Sequence, residues 1–217
     1  MNIIKDTIEN TIEVKNSKFI TKIYYIQTEE EALEIVKSTK KKYFDARHNC
    51  YAYRIGTENP ILKQSDDGEP KGTAGLPILN AITQNDLTNC LIIVTRYFGG
   101  VLLGASLLLR TYQDSALEVV KLCDTSKLIN GKDIDLSFEY TYYNSIQNYI
   151  NANKDKIIIN KNNFDDNVHL SIYISNDIVD DFTNTLNNIT KAKYSLTNNK
   201  NIIFAKFKDE VRIITHE

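Results

Sequence analysis

The sequence is poor in the residues that cross-link or rigidify small folds. Its 217 residues contain no tryptophan, three cysteines, three prolines and eight glycines. The cysteines Cys50, Cys90 and Cys123 are widely spaced, odd in number and form no C-x-x-C motif, which argues against a disulfide framework and against a zinc cluster. We therefore interpret them as buried free thiols.

Long apolar runs and an excess of positive charge are also missing. The longest apolar stretch, VLLGASLLL, stops at Arg110 and is too short to span a membrane, and the N-terminus lacks the pattern of a signal peptide. Lys and Arg number 26 against 28 Asp and Glu, a net charge of −2. These features predict a cytoplasmic protein without a membrane segment. Because non-specific nucleic-acid binding needs surplus cations, any RNA contact must come from a local patch.

The few glycines and prolines are concentrated in one part of the chain. Seven of the eight glycines lie between Gly56 and Gly104, and all three prolines lie between Pro60 and Pro77. After Gly131 neither residue recurs, and Asn, Lys, Ile and Asp become frequent. The polar segment CDTSKLINGKD, residues 123–133, predicts a linker. We therefore expect two domains, residues 1–125 and 132–217.

Apolar periodicity predicts an α+β fold in both domains. In the first, SKFITKIYYI, RHNCYAYRIG and CLIIVTRYF have the patterns of strands, and Thr28 with Glu31 forms a capping box that opens a helix. Apolar spacing predicts a long helix from Val101 to Leu122. In the second, the element order is β-α-β-β-α-β, the ferredoxin-like arrangement.

The loop SDDGEPKGTAGLP, residues 65–77, has more turn residues than a simple connection requires. It holds three glycines, two prolines and three acidic side chains. Asp66, Asp67 and Glu69 have the chemistry of a site for a hard cation or of an acid/base pair. Side-chain bonds to the backbone of a tight turn explain the same residues equally well. The glycines after Lys71 predict an anion cradle at the start of the next helix.

The join TRYFGGVLLG suggests a second anion site. A buried strand ends at Arg96, and Gly99 and Gly100 turn the chain towards a helix expected to begin at about Val101. Helix N-termini attract anions, and Arg96 and Tyr97 would stand beside this one. A tight strand-to-helix turn is the alternative interpretation.

One further pair has catalytic chemistry. His48 and Cys50 are expected on the same face of one strand, and such a pair is one form of base and nucleophile. A hydrogen-bonded histidine beside a packed thiol is the alternative that we favour.

The motifs HNCYAYRIG, SDDGEPKGTAGLPIL and TRYFGGVLLGASLLLRTY together resemble the signature of the IMPACT/YigZ family over roughly residues 15–122. The remainder resembles the second domain of bacterial members. The resemblance implies a first domain similar to the C-terminal domain of a small-subunit ribosomal protein and to domain IV of elongation factor G, and a second similar to domain V. One departure is that Ser106 and Leu107 stand where the family usually has glycines.

The resemblance also implies a function. Eukaryotic relatives regulate translation by competing for an activator of an amino-acid-starvation kinase, and they use an additional N-terminal domain to do so. We expect a non-catalytic binding protein linked to translation or its regulation, without a cofactor or metal, that contacts structured RNA, the ribosome or a translation-factor partner. The alternatives are a metal-assisted hydrolase using the acidic loop and His48, and a protein-interaction adaptor without RNA binding. The candidate surface consists of His48, Asp66, Asp67, Glu69, Lys71, Arg96, Tyr97, Gly99 and Gly100.

Overall fold

The computed structural model describes residues 1–216 and divides into two compact units, Met1–Lys127 and Leu128–Glu217. The strands of the first unit are β1 (Asn2–Ile4), β2 (Ile8–Val14), β3 (Ser17–Tyr25), β4 (His48–Ile55), β5 (Ile61–Ser65) and β6 (Cys90–Tyr97). Its helices are α1 (Glu29–Lys42), α2 (Gly75–Gln84) and α3 (Ala105–Lys121).

Five of these strands form an antiparallel sheet in the order β2-β3-β6-β4-β5. The central strand β6 is buried on both faces, as its sequence predicts. Ile92 and Val94 belong to the core shared with α2 and α3, whereas Leu91 and Ile93 belong to a second core shared with α1. The sheet is therefore covered by helices on both sides, and its strand ends are left to form a site.

Two helix starts test the sequence rules. At α1 the Glu31 N–H donates to Thr28 Oγ1 at 3.2 Å, which confirms the predicted cap. At α3 the prediction is wrong, because the helix begins at Ala105 and not at Val101. Val101 is exposed, and Gly104, which immediately precedes the helix, has φ +77°, a conformation that favours glycine.

The second unit has the predicted β-α-β-β-α-β order with one more strand. Its elements are β7 (Thr125–Phe138), α4 (Tyr143–Ala152), β8 (Ile157–Phe164), β9 (Val168–Ser175), α5 (Val179–Thr190), β10 (Tyr194–Lys206) and β11 (Val211–His216). The sheet order is β11-β10-β7-β9-β8, and Ile146 and Phe182 from the two helices pack in its core. The whole chain is thus mixed α and β in two domains, as predicted.

The predicted linker is wrong as a loop, because residues 125–138 form the single strand β7. Gly131 lies in the ladder opposite Ile202 and Ser175. A Cβ added there would lie 2.3 Å from the Ile174 carbonyl oxygen and 2.6 Å from the Phe204 ring, so this glycine permits close packing and makes no turn. The exact limits of the two domains remain a prediction.

Among residues 1–216, no helix combines the length and the hydropathy that crossing a membrane requires.

Candidate functional site

A cavity of about 300 Å³ lies in the first unit where the three sequence motifs meet. It is bounded by the start of β4, the acidic loop, the end of β6 and the segment that leads into α3. Its lining residues are Arg47, His48, Gly68, Glu69, Pro70, Arg96, Phe98, Leu102, Leu103, Gly104, Ala105 and Leu108. Three of the predicted site residues, His48, Glu69 and Arg96, are therefore brought together.

A buried ion pair forms part of the cavity floor. Arg96 Nη1 donates to Glu69 Oε1 at 2.6 Å, and the Tyr112 hydroxyl donates to the same oxygen at 2.8 Å. Arg96 is 5 % exposed and Glu69 is 8 % exposed. The guanidinium also lies 5.4 Å from the Phe19 ring centroid. The expectation that Arg96 stands at a helix N-terminus is wrong, because α3 begins only at Ala105. The charge of Arg96 is instead paired with that of Glu69.

His48 lies opposite Arg96 in the β4–β6 ladder, which places it beside the same carboxylate. Its Nδ1 is 2.8 Å from the Asp67 carbonyl oxygen, so this nitrogen carries the hydrogen and donates it. Its Nε2 lies 3.8 Å from Glu69 Oε2, beyond hydrogen-bond distance. The histidine is thus fixed by the loop backbone, and its second nitrogen faces the cavity floor.

Asp66 fills the predicted anion cradle with its own carboxylate. It accepts hydrogen bonds from the backbone N–H groups of Gly72 at 2.8 Å, Ala74 at 3.0 Å and Gly75 at 2.8 Å. Burial acts to raise the pKa of Asp66, but these three hydrogen bonds outweigh it and hold the pKa below the ordinary value. The cradle therefore serves an internal anion. Lys71 beside it is exposed.

Asp67 binds a different part of the chain. Its Oδ2 accepts from the Asn49 N–H at 2.6 Å, and its Oδ1 pairs with Lys40. With Asp66 directed to α2 and Glu69 to Arg96, the three carboxylates diverge. Within residues 1–216, no group of three or more His, Cys, Asp or Glu side chains is arranged to hold a metal ion. Side-chain bonds to the loop backbone account for Asp66, bonds to Asn49 and Lys40 account for Asp67, and an ion pair accounts for Glu69.

Cys50 is a buried thiol with no access to solvent. Its Sγ donates to the Asp66 carbonyl oxygen at 2.9 Å and lies 3.4 Å from the Tyr112 hydroxyl. Burial raises the pKa of this thiol far above its usual range, so it stays protonated. It has the packed role that we favoured for it.

The glycine pair at the end of β6 is required by the local geometry. A Cβ at Gly99 would lie 2.1 Å from the Asn16 carbonyl carbon, and Gly100 has φ +84° in open space. Before them, the Tyr97 hydroxyl donates to Asp45 Oδ1 at 2.8 Å. The turn leads into a segment without regular secondary structure, so the helix N-terminus expected beside this pair is not there.

The two departures from the family pattern lie in the first turn of α3. Ser106 is exposed, whereas Leu107 is partly buried and packs against the core. Leu107 therefore adds apolar contact where the family usually has a glycine.

Sequence reasoning missed the cavity rim, which we define as Arg47, Phe98 and Leu102. The Arg47 guanidinium lies 5.4 Å from the Phe98 ring centroid. Phe98 is 37 % exposed and Leu102 is 84 % exposed. The signal for this rim in the sequence is Gly104, because a glycine inside the apolar spacing indicates that the helix begins after it and that Leu102 lies outside the helix.

A second cavity, of about 390 Å³, lies on the sheet of the second unit and is lined by side chains such as Asp135, Lys161 and His169. None of the predicted site residues borders it.

Comparisons with known proteins identify the two domains. The Impact N-terminal domain matches residues 15–120, and a domain of unknown function (DUF1949) matches residues 136–193. One solved structure, titled only as a hypothetical protein, is 26 % identical, covers 96 % of this chain and 98 % of its own, and superposes with a TM-score of 0.58.

Bacterial relatives match most of the chain. The IMPACT family member YvyE of Bacillus subtilis is 32 % identical over 190 residues, which is 88 % of this chain and 87 % of the relative. The IMPACT family member YigZ of Escherichia coli is 32 % identical over 148 residues, which is 67 % of this chain and 72 % of the relative. The chain therefore belongs to the IMPACT family.

Proposed function

We propose that this protein is a cytoplasmic, non-catalytic binding protein in translation or its regulation, and that it contacts structured RNA, the ribosome or a translation-related protein through the cavity and its rim. One observation carries the proposal. The polar groups of the cavity floor bond to one another, as Glu69 does to Arg96 and Tyr112, while Arg47, Phe98 and Leu102 remain exposed around them. The translational setting rests on the family resemblance.

The same geometry disfavours hydrolysis. A nucleophile or base must reach a substrate, but Asp66 is bonded to three backbone N–H groups and the Cys50 thiol is buried. Shared coordination of a cation needs converging carboxylates, and those of the acidic loop diverge. Metal-assisted hydrolysis would require these side chains to leave their present bonds and converge, whereas binding at the cavity does not.

Local charge supports RNA or the ribosome as the partner. Arg47 lines the cavity and is exposed, and Lys71 is exposed in the acidic loop that bounds the cavity. Exposed cations of this kind bind phosphates, and the affinity falls as salt rises. Because the chain has a net charge of −2, we expect modest affinity confined to this surface.

Sedimentation of the tagged full chain in cell lysate tests the proposal. We expect co-migration with ribosomal particles at low salt, release at higher salt, and loss after ribonuclease treatment. Arg47→Ala should weaken co-migration, whereas Arg110→Ala, an exposed cation on α3 outside the cavity lining, should not. Migration at the top of the gradient, with a metal-dependent hydrolytic activity that Asp67→Asn abolishes, would replace the proposal with the hydrolase alternative.

A further inference from the structure

The turn between α1 and β4 ends at the cavity, which its last residue, Arg47, lines. Lys41, Lys42 and Arg47 are exposed, and Phe44 is 84 % exposed. The turn is fastened to β6, because Arg47 N–H donates to the Arg96 carbonyl oxygen at 3.1 Å and Asp45 accepts from the Tyr97 hydroxyl. Arg47, which lines the cavity, is therefore held in place at its edge.

The cavity has apolar walls and a polar floor. Its walls are formed by Pro70, Phe98, Leu102, Leu103 and Leu108, and its floor includes His48 and Glu69. A volume of about 300 Å³ is at the small end of ligand pockets, so it admits one ring system. A planar heteroaromatic ring matches this distribution, because its faces are apolar and its edge carries hydrogen-bonding groups.

One carboxylate oxygen on the cavity floor, Glu69 Oε2, is placed to bond to the edge of such a ring. Glu69 uses Oε1 for Arg96 and Tyr112, whereas Oε2 lies 3.8 Å from the nearest His48 nitrogen. Oε2 is therefore positioned to accept a hydrogen bond from an N–H group of a ring that enters the cavity.

We propose that the cavity binds one unpaired nucleobase of a single-stranded RNA segment, whose neighbouring phosphate contacts Arg47. This inference rests on the proposed function in its RNA form. Unpaired bases are bound by stacking on aromatic and guanidinium planes, which the Arg47 and Phe98 pair offers, and by hydrogen bonds to their edges. An acidic protein segment would pair with Arg47 but would leave the Phe98 ring and the cavity unoccupied.

The test compares two strands of equal charge by fluorescence anisotropy with the purified full chain. One is a labelled single-stranded RNA octamer, and the other is an abasic octamer of the same length. We expect the base-containing strand to bind roughly tenfold more tightly, since stacking of one base raises affinity by a factor of roughly 5 to 150.

Two neighbouring substitutions localise the base. Ala105 is exposed, is the first residue of α3 and lines the cavity, so Ala105→Leu should obstruct the mouth without adding an aromatic ring and should remove the tenfold difference. Ser106→Leu is the matched control, because Ser106 is exposed on the same turn but is outside the lining, and it should keep the difference. Circular dichroism checks that both variants fold.

The remaining outcomes separate this inference from the proposed function. Equal affinity for the two strands, or a difference that survives Ala105→Leu, would overturn the base pocket even if the chain sediments with ribosomal particles. Displacement of the RNA by polyglutamate at equal charge concentration would show instead a surface for acidic proteins. Absence of both RNA binding and co-sedimentation would overturn both proposals.

Discussion

The Arg96 guanidinium and the Glu69 carboxylate form a buried ion pair, with 2.6 Å between Nη1 and Oε1, that joins the end of β6 to the acidic loop. The two residues are 27 positions apart in the chain. Removing one partner of such a pair is costly, because the other charge is left buried without compensation.

Arg96→Ala should therefore destabilise the first domain. We expect the free energy of unfolding to fall by about 3–5 kcal/mol, measured by urea denaturation. Lys121→Ala is the control, since Lys121 and Glu118 form an exposed pair that water screens, so its loss should change the stability little. A loss of under about 1 kcal/mol in Arg96→Ala would contradict a stabilising ion pair.

Local patterns predicted much of the fold but not this pair. The strands β3, β4 and β6 and the Thr28 cap follow from alternation and capping, which depend on near neighbours in sequence. Which acid of the loop reaches Arg96 depends on its path, including φ +44° at Asp67. Asp66, Asp67 and Glu69 are almost adjacent in sequence, so composition alone does not distinguish them.

The two wrong boundaries have a common physical cause. Gly131 and Gly104 were interpreted from local rules, one as part of a linker and the other as interior to a helix. Gly131 in fact accommodates the Ile174 carbonyl from another strand, and Gly104 adopts a positive φ before α3. Tertiary contact and backbone geometry decide both positions.

Asp66 should make stability depend on pH in the acid range. Its folded pKa is lowered, so ionised Asp66 contributes stability above its unfolded pKa of about 4 and loses it as the pH falls through the folded value. Asp66→Asn should lower the free energy of unfolding by about 1–3 kcal/mol at pH 7, and the difference from wild type should shrink below about pH 4.

Urea denaturation between pH 7 and pH 2 measures this dependence. Asp114→Asn, at an exposed position on α3, provides the control and should match wild type throughout. A difference between Asp66→Asn and wild type that stays constant down to pH 2 would show that the carboxylate charge is not the cause.

Gly99 and Gly100 should respond differently to substitution. Gly99→Ala places a Cβ 2.1 Å from backbone of Asn16, so the free energy of unfolding should fall by about 1–3 kcal/mol or more. Gly100→Asn should cost about 1 kcal/mol, because no atom lies near the added Cβ and Asn adopts a positive φ more readily than most residues. Thermal denaturation of both variants measures the contrast, and equal effects would argue against the close approach to Asn16.

Residues 126–131 should resist limited proteolysis. Lys127 pairs with Asn2, and Lys132 pairs with Ile174 and Asn201, so trypsin must open a strand to cut there. Lys208, exposed between β10 and β11, should be cut earlier. Mass spectrometry of early fragments provides the measurement, and rapid cleavage after Lys127 or Lys132 would restore the linker interpretation.

Tyr112→Phe should reveal how much the hydroxyl contributes beneath the cavity. The ring is fully buried and packs edge-on against Phe19 with centroids 5.3 Å apart, and the substitution keeps that contact. It removes the hydrogen bond to Glu69, a charged acceptor, so we expect the free energy of unfolding to fall by about 1.5–3 kcal/mol.

Tyr97→Phe is the matched control, because its bond to Asp45 lies at an exposed site and should contribute about 1 kcal/mol or less. Urea denaturation of both variants measures the difference. If Tyr112→Phe were as stable as wild type, Arg96 alone would satisfy Glu69, and the floor of the cavity would tolerate more rearrangement than the three-residue network implies.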